Sequence, residues 1–421
     1  MSVEKIDTLI VGGGQAGLAM SKHLSDRNIP HLILEKNRIA ERWRSERWDS
    51  LVANGPAWHD RYPGLDFSKF HDDAFVPKED FADAFVDYAK KIDAPIRCGV
   101  EVISAKRKKN ESTFEVKTSE GDIEANRIVA ATGPFQKPII PPVIPEDADV
   151  LQIHSRDYRN PDQMPEGAVL VVGAGSSGVQ IADELMRAGR KVYLSVGPHD
   201  RPPRRYRGRD FVWWLGVLGK WEEDTVMPGQ EHVTIAVSGA YGGETVDFRK
   251  LAERGMTLVG RTENYYNGVV GFSTDVAKQI KAGDENYLSI LKAADEYIEA
   301  NGLDLPEEPE AHIIGDDPEC LTNPINHVDL KKEGVTSVIW STGYALDYSW
   351  LEVDAFDEKG QPDHRRGVSS APGVYFLGLA WLSRRGSPFI WGVWHDAKYL
   401  ASHIEIQRGY ADYQGNAAPQ E

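Results

Sequence analysis

Gly12-Gly13-Gly14-Gln15-Ala16-Gly17 and Gly173-Ala174-Gly175-Ser176-Ser177-Gly178 both fit the spacing G-x-G-x-x-G. That spacing suits a diphosphate. The first glycine permits a tight turn, the second lets backbone approach the phosphates, and the third lets a helix pack closely on a strand. The helix N-terminus then offers free N–H groups and a partial positive charge. Gln15 and Ala16 in the first loop, and Ser176 and Ser177 in the second, fall where those N–H groups are expected.

The residues that follow each loop differ. Glu35 ends the apolar run His31-Leu32-Ile33-Leu34-Glu35, where a carboxylate can accept hydrogen bonds from ribose hydroxyls. In the second copy Ser195 stands at the matching place, with Arg201, Arg204 and Arg205 close behind. A carboxylate there would repel a 2′-phosphate, whereas a hydroxyl with arginines favours it. The pattern therefore predicts FAD in the first loop and NADPH, rather than NADH, in the second. Each arginine equally suits a solvated surface loop or a domain contact. Two nucleotide sites in one chain imply electron transfer from a nicotinamide to a flavin and onward. The two cysteines, Cys98 and Cys320, are far apart in sequence and form no C-x-x-C pair, which argues against a disulfide reductase and leaves molecular oxygen as acceptor.

The elements needed to hold these loops are legible. Asp7–Val11 and Ala168–Val172 read as buried parallel strands, each followed by glycines, a helix with apolar residues on one face, and a second strand. The predicted fold class is α/β with two Rossmann-type dinucleotide-binding domains. The expected division is 1–164 for the first part of the FAD-binding domain, 165–334 for an inserted NADP-binding domain, and 335–421 for the rest of the first. Pro138 to Pro145 reads as a connecting segment. Ser273 to Asn301 reads as two helices interrupted at Gly283, with Asp275 as a cap and Gly302 as a stop.

The chain has 421 residues and a net charge of −17, a poor match to nucleic acid or an anionic membrane. It has neither a signal-like start nor an apolar run of membrane-spanning length, so a soluble cytoplasmic protein is expected. Its histidines show no metal-ligand spacing, and no metal is expected. Trp213, Trp214, Trp221, Trp381, Trp391 and Trp394 suit an apolar substrate pocket, core packing or a homodimer face.

Several further segments accompany the loops. They are Arg42-Trp43 with the run Trp48 to Pro56, Ala131-Thr132-Gly133, His154 to Arg159, Ser341-Thr342-Gly343-Tyr344, and Gly378 to His395. Together they resemble the class B flavin-dependent monooxygenases, in particular the flavin-containing monooxygenase branch and a bacterial subgroup described as flavoproteins involved in potassium transport. The resemblance covers most of the chain. Two departures stand out. Ala148 and Val150 occupy the Phe and Gly positions of the F-x-G-x-x-x-H-x-x-x-Y fingerprint, and Leu379 stands where an aspartate often holds the ribityl chain.

The resemblance implies an NADPH- and FAD-dependent monooxygenase. NADPH would reduce FAD, O₂ would add to flavin C4a, and the (hydro)peroxide would pass one oxygen atom to an N or S atom of a small organic substrate. Asn54 would hold the oxygen adduct as the catalytic residue. Lys36, Arg42, Trp43, Val102, Thr132, Gly133, Thr342 and Gly343 would join the cofactor contacts. His154 and His395 lie in family-like segments and are weaker candidates. A Baeyer–Villiger enzyme acting on a ketone and a non-catalytic FAD-binding regulator are the alternatives; Tyr158-Arg159, in place of a Trp-led pair, favours heteroatom oxidation.

Overall fold

Leu9, Ile10 and Val11 pair in parallel with Leu32, Ile33 and Leu34 on one side and with Ile128, Val129 and Ala130 on the other. A strand with neighbours on both edges and both faces covered needs the unbroken apolar run seen here. The computed structural model describes residues 3–109, 111–224 and 234–413. In the first sheet the order is Ile96–Cys98, His31–Glu35, Glu4–Val11, Gly121–Ala130. Besides Glu4–Val11, the long strand Gly121–Ala130 serves two more partners. Its first half pairs antiparallel with Phe114–Thr118, and its last residues pair parallel with Val374–Phe376. The C-terminal helix Ile390–Ala411 then packs on helix Gln15–Ser25.

The second sheet is wholly parallel, in the order Thr257–Val259, Val192–Ser195, Ala168–Val172, Val335–Trp340, Leu151–His154. This corrects the division expected from sequence. Strand Leu151–His154 precedes residue 165 and strand Val335–Trp340 follows residue 334, yet both belong to the inserted domain. A short apolar run carries no information about which sheet it joins. The two chain crossings between the sheets lie side by side, with Lys137–Pro138 paired antiparallel to Tyr344–Ala345. The Pro-rich stretch is part of that crossing.

A second correction concerns residues 273–301. They form one helix, Val276–Asn301, ended by Gly302 in a left-handed conformation. Gly283 does not interrupt it. A Cβ at that position would meet His199 Nε2 at 2.5 Å, so the glycine gives the histidine ring room. Among the described residues, no helix is long and apolar enough to cross a membrane.

Candidate functional site

The first glycine loop leaves strand Glu4–Val11 through Gly12, whose φ of +112° disfavours any side chain. A Cβ on Gly17 would collide with the Gly12 carbonyl oxygen, so this glycine sets how closely the helix approaches. Nothing lies within 4 Å of a Cβ built on Gly14. Helix Gln15–Ser25 starts at Gly14 with no side-chain cap, leaving its N-terminal N–H groups for a ligand. Glu35 closes the cradle from the next strand, accepting from Gly13 N–H at 2.7 Å and Asn37 N–H at 2.9 Å. Gln15 donates to the Pro388 carbonyl at 3.1 Å, and a Cβ on Gly378 would stand 3.0 Å from the Ala16 methyl. The C-terminal run therefore lies against this cradle.

The second loop repeats the geometry. Gly173 has φ +106°, and a Cβ on Gly178 would collide with the Gly173 carbonyl oxygen. Helix Ser176–Arg187 also begins without a side-chain cap. One difference separates the loops: a Cβ on Gly175 would lie 2.9 Å from the Thr234 methyl, and Ser176 Oγ donates to the Ile235 carbonyl at 2.8 Å. Ser177 is half-buried beside it.

Asn54 is tied to the second cradle. Its Oδ1 accepts from Gln180 Nε2 at 2.9 Å, and Gln180 lies on the helix of the second loop. The same Nε2 donates to the Val237 carbonyl at 2.8 Å. The Asn54 carbonyl accepts from Arg204 at 2.6 Å. The following turn is held by Asp60, which accepts from Gly55 N–H at 3.0 Å and pairs with His59 at 2.8 Å. His59 faces Trp391 and Trp221 at ring distances of 5.4 and 5.7 Å, and Trp221 lies 5.2 Å from Phe389. The tryptophans do not form one pocket. Trp213 and Trp214 pack with Tyr297 in a separate cluster, and Trp394 packs on His23 and Tyr62.

The arginines after Ser195 are a correction. Arg201 is buried and bonded to Asp284 at 2.8 Å. Arg204, 1% exposed, binds both oxygens of Asp210 and lies between the Phe75 and Phe211 rings. Neither is free for a phosphate. Arg205 alone is exposed, beside Phe75 in a groove of about 440 Å³ with His71 and Tyr241. Ser195 is buried as well: its Oγ donates to the Gly260 carbonyl at 2.9 Å and accepts from Thr262 N–H at 3.1 Å.

Other expected residues divide between cradle and scaffold. Thr132 and Gly133 stand after Gly121–Ala130, with Gln136 donating to Thr132 Oγ1 and the Gly133 carbonyl at 2.9 and 2.7 Å. Thr342 donates to the Ile139 carbonyl, fixing the two crossings together. The Gly343 carbonyl accepts from His154 Nε2 at 3.1 Å, and His154 Nδ1 accepts from Arg156 N–H. With both ring nitrogens committed to backbone, buried His154 is a tie between crossings; burial also pushes its pKa down. Tyr158 donates to Glu184 at 2.7 Å on the second-loop helix. Arg42 reaches the Phe135 carbonyl, while Trp43 stacks on Phe81 at 4.9 Å. Lys36 is exposed beside Glu35, Val102 is half-buried against the first core, and His395 is exposed. Gln180, Gln136 and Asp60 escaped sequence reasoning. Gln180, alone among apolar neighbours on a helix face, was the one signal available.

Comparison with known proteins agrees with this geometry. Residues 9–207 match the family model of the pyridine nucleotide-disulphide oxidoreductases. The chain is 35% identical over 404 residues to the "uncharacterized oxidoreductase CzcO-like" of Geobacillus kaustophilus (strain HTA426), covering 95% of this chain and 98% of the relative. It is 25% identical over 415 residues to indole-3-pyruvate monooxygenase YUCCA1 of Oryza sativa subsp. japonica, covering 95% and 91%. A flavin-containing monooxygenase from Stenotrophomonas maltophilia shares the fold with a TM-score of 0.66 at 17% identity, covering 96% of this chain and all of that one. Two glycine cradles in this order, on a chain that aligns nearly end to end with a CzcO-like oxidoreductase, place the protein in the class B flavin-monooxygenase-like family of oxidoreductases.

Proposed function

We propose that the protein is an NADPH- and FAD-dependent monooxygenase that adds one oxygen atom to an N or S atom of a small organic molecule. The observation that carries this reading is the Asn54–Gln180 bond, which ties the amide expected to hold the oxygen adduct to the helix of the second cradle. The balance is substrate, O₂, NADPH and a proton giving oxygenated substrate, water and NADP⁺. FAD, when bound, supplies the two-electron carrier that accepts hydride and activates O₂.

The chain supplies position and polarity. The open face of Gly14 and the uncapped helix behind it fit the FAD diphosphate, and Glu35 fits its ribose. The second cradle has the same backbone form, and the Thr234 methyl must yield to admit a diphosphate at Gly175. Because Gln180 occupies Asn54 Oδ1, the Nδ2 hydrogens are the part of that amide left to donate to a ligand. His59, Trp221 and Trp391 place an aromatic layer next to the same turn, where it excludes water and strengthens a hydrogen bond from Asn54.

The test begins with the visible spectrum of purified protein and anaerobic addition of NADPH. Bleaching of the flavin followed by O₂ uptake, with N-oxide or sulfoxide product, is expected. A lactone or ester from a ketone would move the assignment to Baeyer–Villiger chemistry, and absence of bleaching would leave a non-catalytic flavoprotein. For Asn54→Ala, we expect unchanged flavin reduction and roughly tenfold more H₂O₂ per product, as befits loss of one preorganised donor. Unchanged coupling would remove Asn54 from the chemistry.

A further inference from the structure

An NADP adenosine places its 2′-phosphate near the outer end of the second strand of a Rossmann unit. Here that strand is Val192–Ser195. The arginines that follow it in sequence do not answer the need, since Arg201 and Arg204 are held by Asp284 and Asp210. Another arginine arrives from the side. Arg261 follows Thr257–Val259, the parallel neighbour of Val192–Ser195. Its stem lies beside Gly197, where a Cβ would stand 3.4 Å from Cγ and 3.5 Å from Cδ. Gly197 thus leaves the side-chain space at the strand end to a residue of the next strand.

The backbone of Arg261 is fixed. Its N–H donates to Ser273 Oγ at 2.9 Å, and its carbonyl accepts from Ser273 N–H at 2.9 Å. Ser195 holds both neighbours, donating to the Gly260 carbonyl and accepting from Thr262 N–H. The guanidinium is not committed. Its side chain is 55% exposed, and the nearest carboxylates, Glu263 and Asp275, are 3.9 and 4.0 Å away, beyond hydrogen-bond distance. Asp275 is already engaged by Ser273 at 2.5 Å and Gln279 at 2.7 Å. A planar cation on an anchored backbone, with its donors free, is the form that reads a phosphate.

We propose that Arg261 recognises the 2′-phosphate of NADPH, and that Ser195 is the positioning residue that clamps the peptides on either side of it. The proposal rests on the NADPH reading above, and the test separates the two. Binding of 2′,5′-ADP and of 5′-AMP to the flavin-loaded protein is measured by calorimetry, independently of turnover. The wild type is expected to prefer 2′,5′-ADP. Arg261→Ala is expected to weaken 2′,5′-ADP about tenfold or more, the loss of a charge-assisted contact, and to leave 5′-AMP within about twofold. Arg261→Lys keeps part of the preference, and Ser195→Ala lowers the ratio of the two affinities without changing 5′-AMP binding.

A wild type that does not distinguish the two ligands overturns the NADPH reading and this proposal with it. A preference that survives Arg261→Ala, or that is lost in Arg205→Ala instead, overturns the assignment of Arg261 and leaves the NADPH reading standing.

Discussion

Arg204 brings a full charge into the interior, and every part of it is answered. Asp210 takes two of its nitrogens, the carbonyls of Asn54 and Ser238 take the third, and Phe75 and Phe211 cover the faces. Removing one partner of such a pair leaves the other charge buried, a loss of about 3–5 kcal/mol. Arg204→Ala should therefore lower the urea midpoint by that equivalent and raise KM for NADPH and NADH alike, because the Asn54 turn loosens. A rise confined to NADPH would return Arg204 to the phosphate. The sequence shows a basic run at 201–209 but not its partners. Asp284 lies on a helix far along the chain, and a charge's role depends on which carboxylate the fold brings to it. The glycines were legible for the opposite reason. What they do is local, a turn and a close approach, and the spacing itself encodes it.

Two strand-to-helix units of equal design allow one substitution to be read in two ways. At Gly17 and Gly178 an added methyl would collide with the carbonyl oxygen of the loop's own first glycine, so the helix must move off its strand. Overpacking of that kind costs about 1–3 kcal/mol and displaces the N–H groups that face the ligand. Gly17→Ala is expected to yield protein with roughly tenfold weaker FAD retention, read as the flavin-to-protein absorbance ratio after gel filtration. Gly178→Ala should keep its flavin and lose reduction by NADPH. Flavin loss in the second variant, or retention in the first, would show that the loops are assigned the wrong way round. The existence of these elements was legible from branched runs and glycines. Sheet membership was not. Nothing in the residues of Val335–Trp340 and Leu151–His154 tells them from strands of the first sheet, and only the pairing of Val335–Trp340 with Ala168–Val172 and of Leu151–His154 with Val335–Trp340 fixes where they belong. Helix 276–301 likewise runs through Gly283, because the glycine answers a histidine ring and not a break in the chain.

The molecule closes where its first helix meets its last, and that closure carries a pH dependence. His23 on Gln15–Ser25 donates through Nε2 to the Trp394 carbonyl at 3.2 Å, with its ring 4.2 Å from the indole. Burial, with Arg27 nearby, lowers its pKa from 6.5 to about 4; Lys398 acts in the same direction, against Asp26 and the Trp394 carbonyl. A group lowered in the folded state stabilises the fold above its unfolded pKa. As pH falls below about 6.5 the unfolded chain takes up a proton that the native state refuses, and stability is lost progressively down to about pH 4. Burial lowers His31, His154, His199 and His364 in the same direction, so they add to the slope. We expect the urea midpoint to fall steadily from pH 6.5 to 4.5. His23→Gln should keep the amide-like hydrogen bond to Trp394 and flatten the slope by up to about one proton, near 1.4 kcal/mol per pH unit. Tryptophan emission, reporting release of Trp394, should follow the same pH course in the wild type and shift in the variant. An identical slope in both proteins would mean that acid opens the chain elsewhere, and that the contact between its two ends is not what titrates.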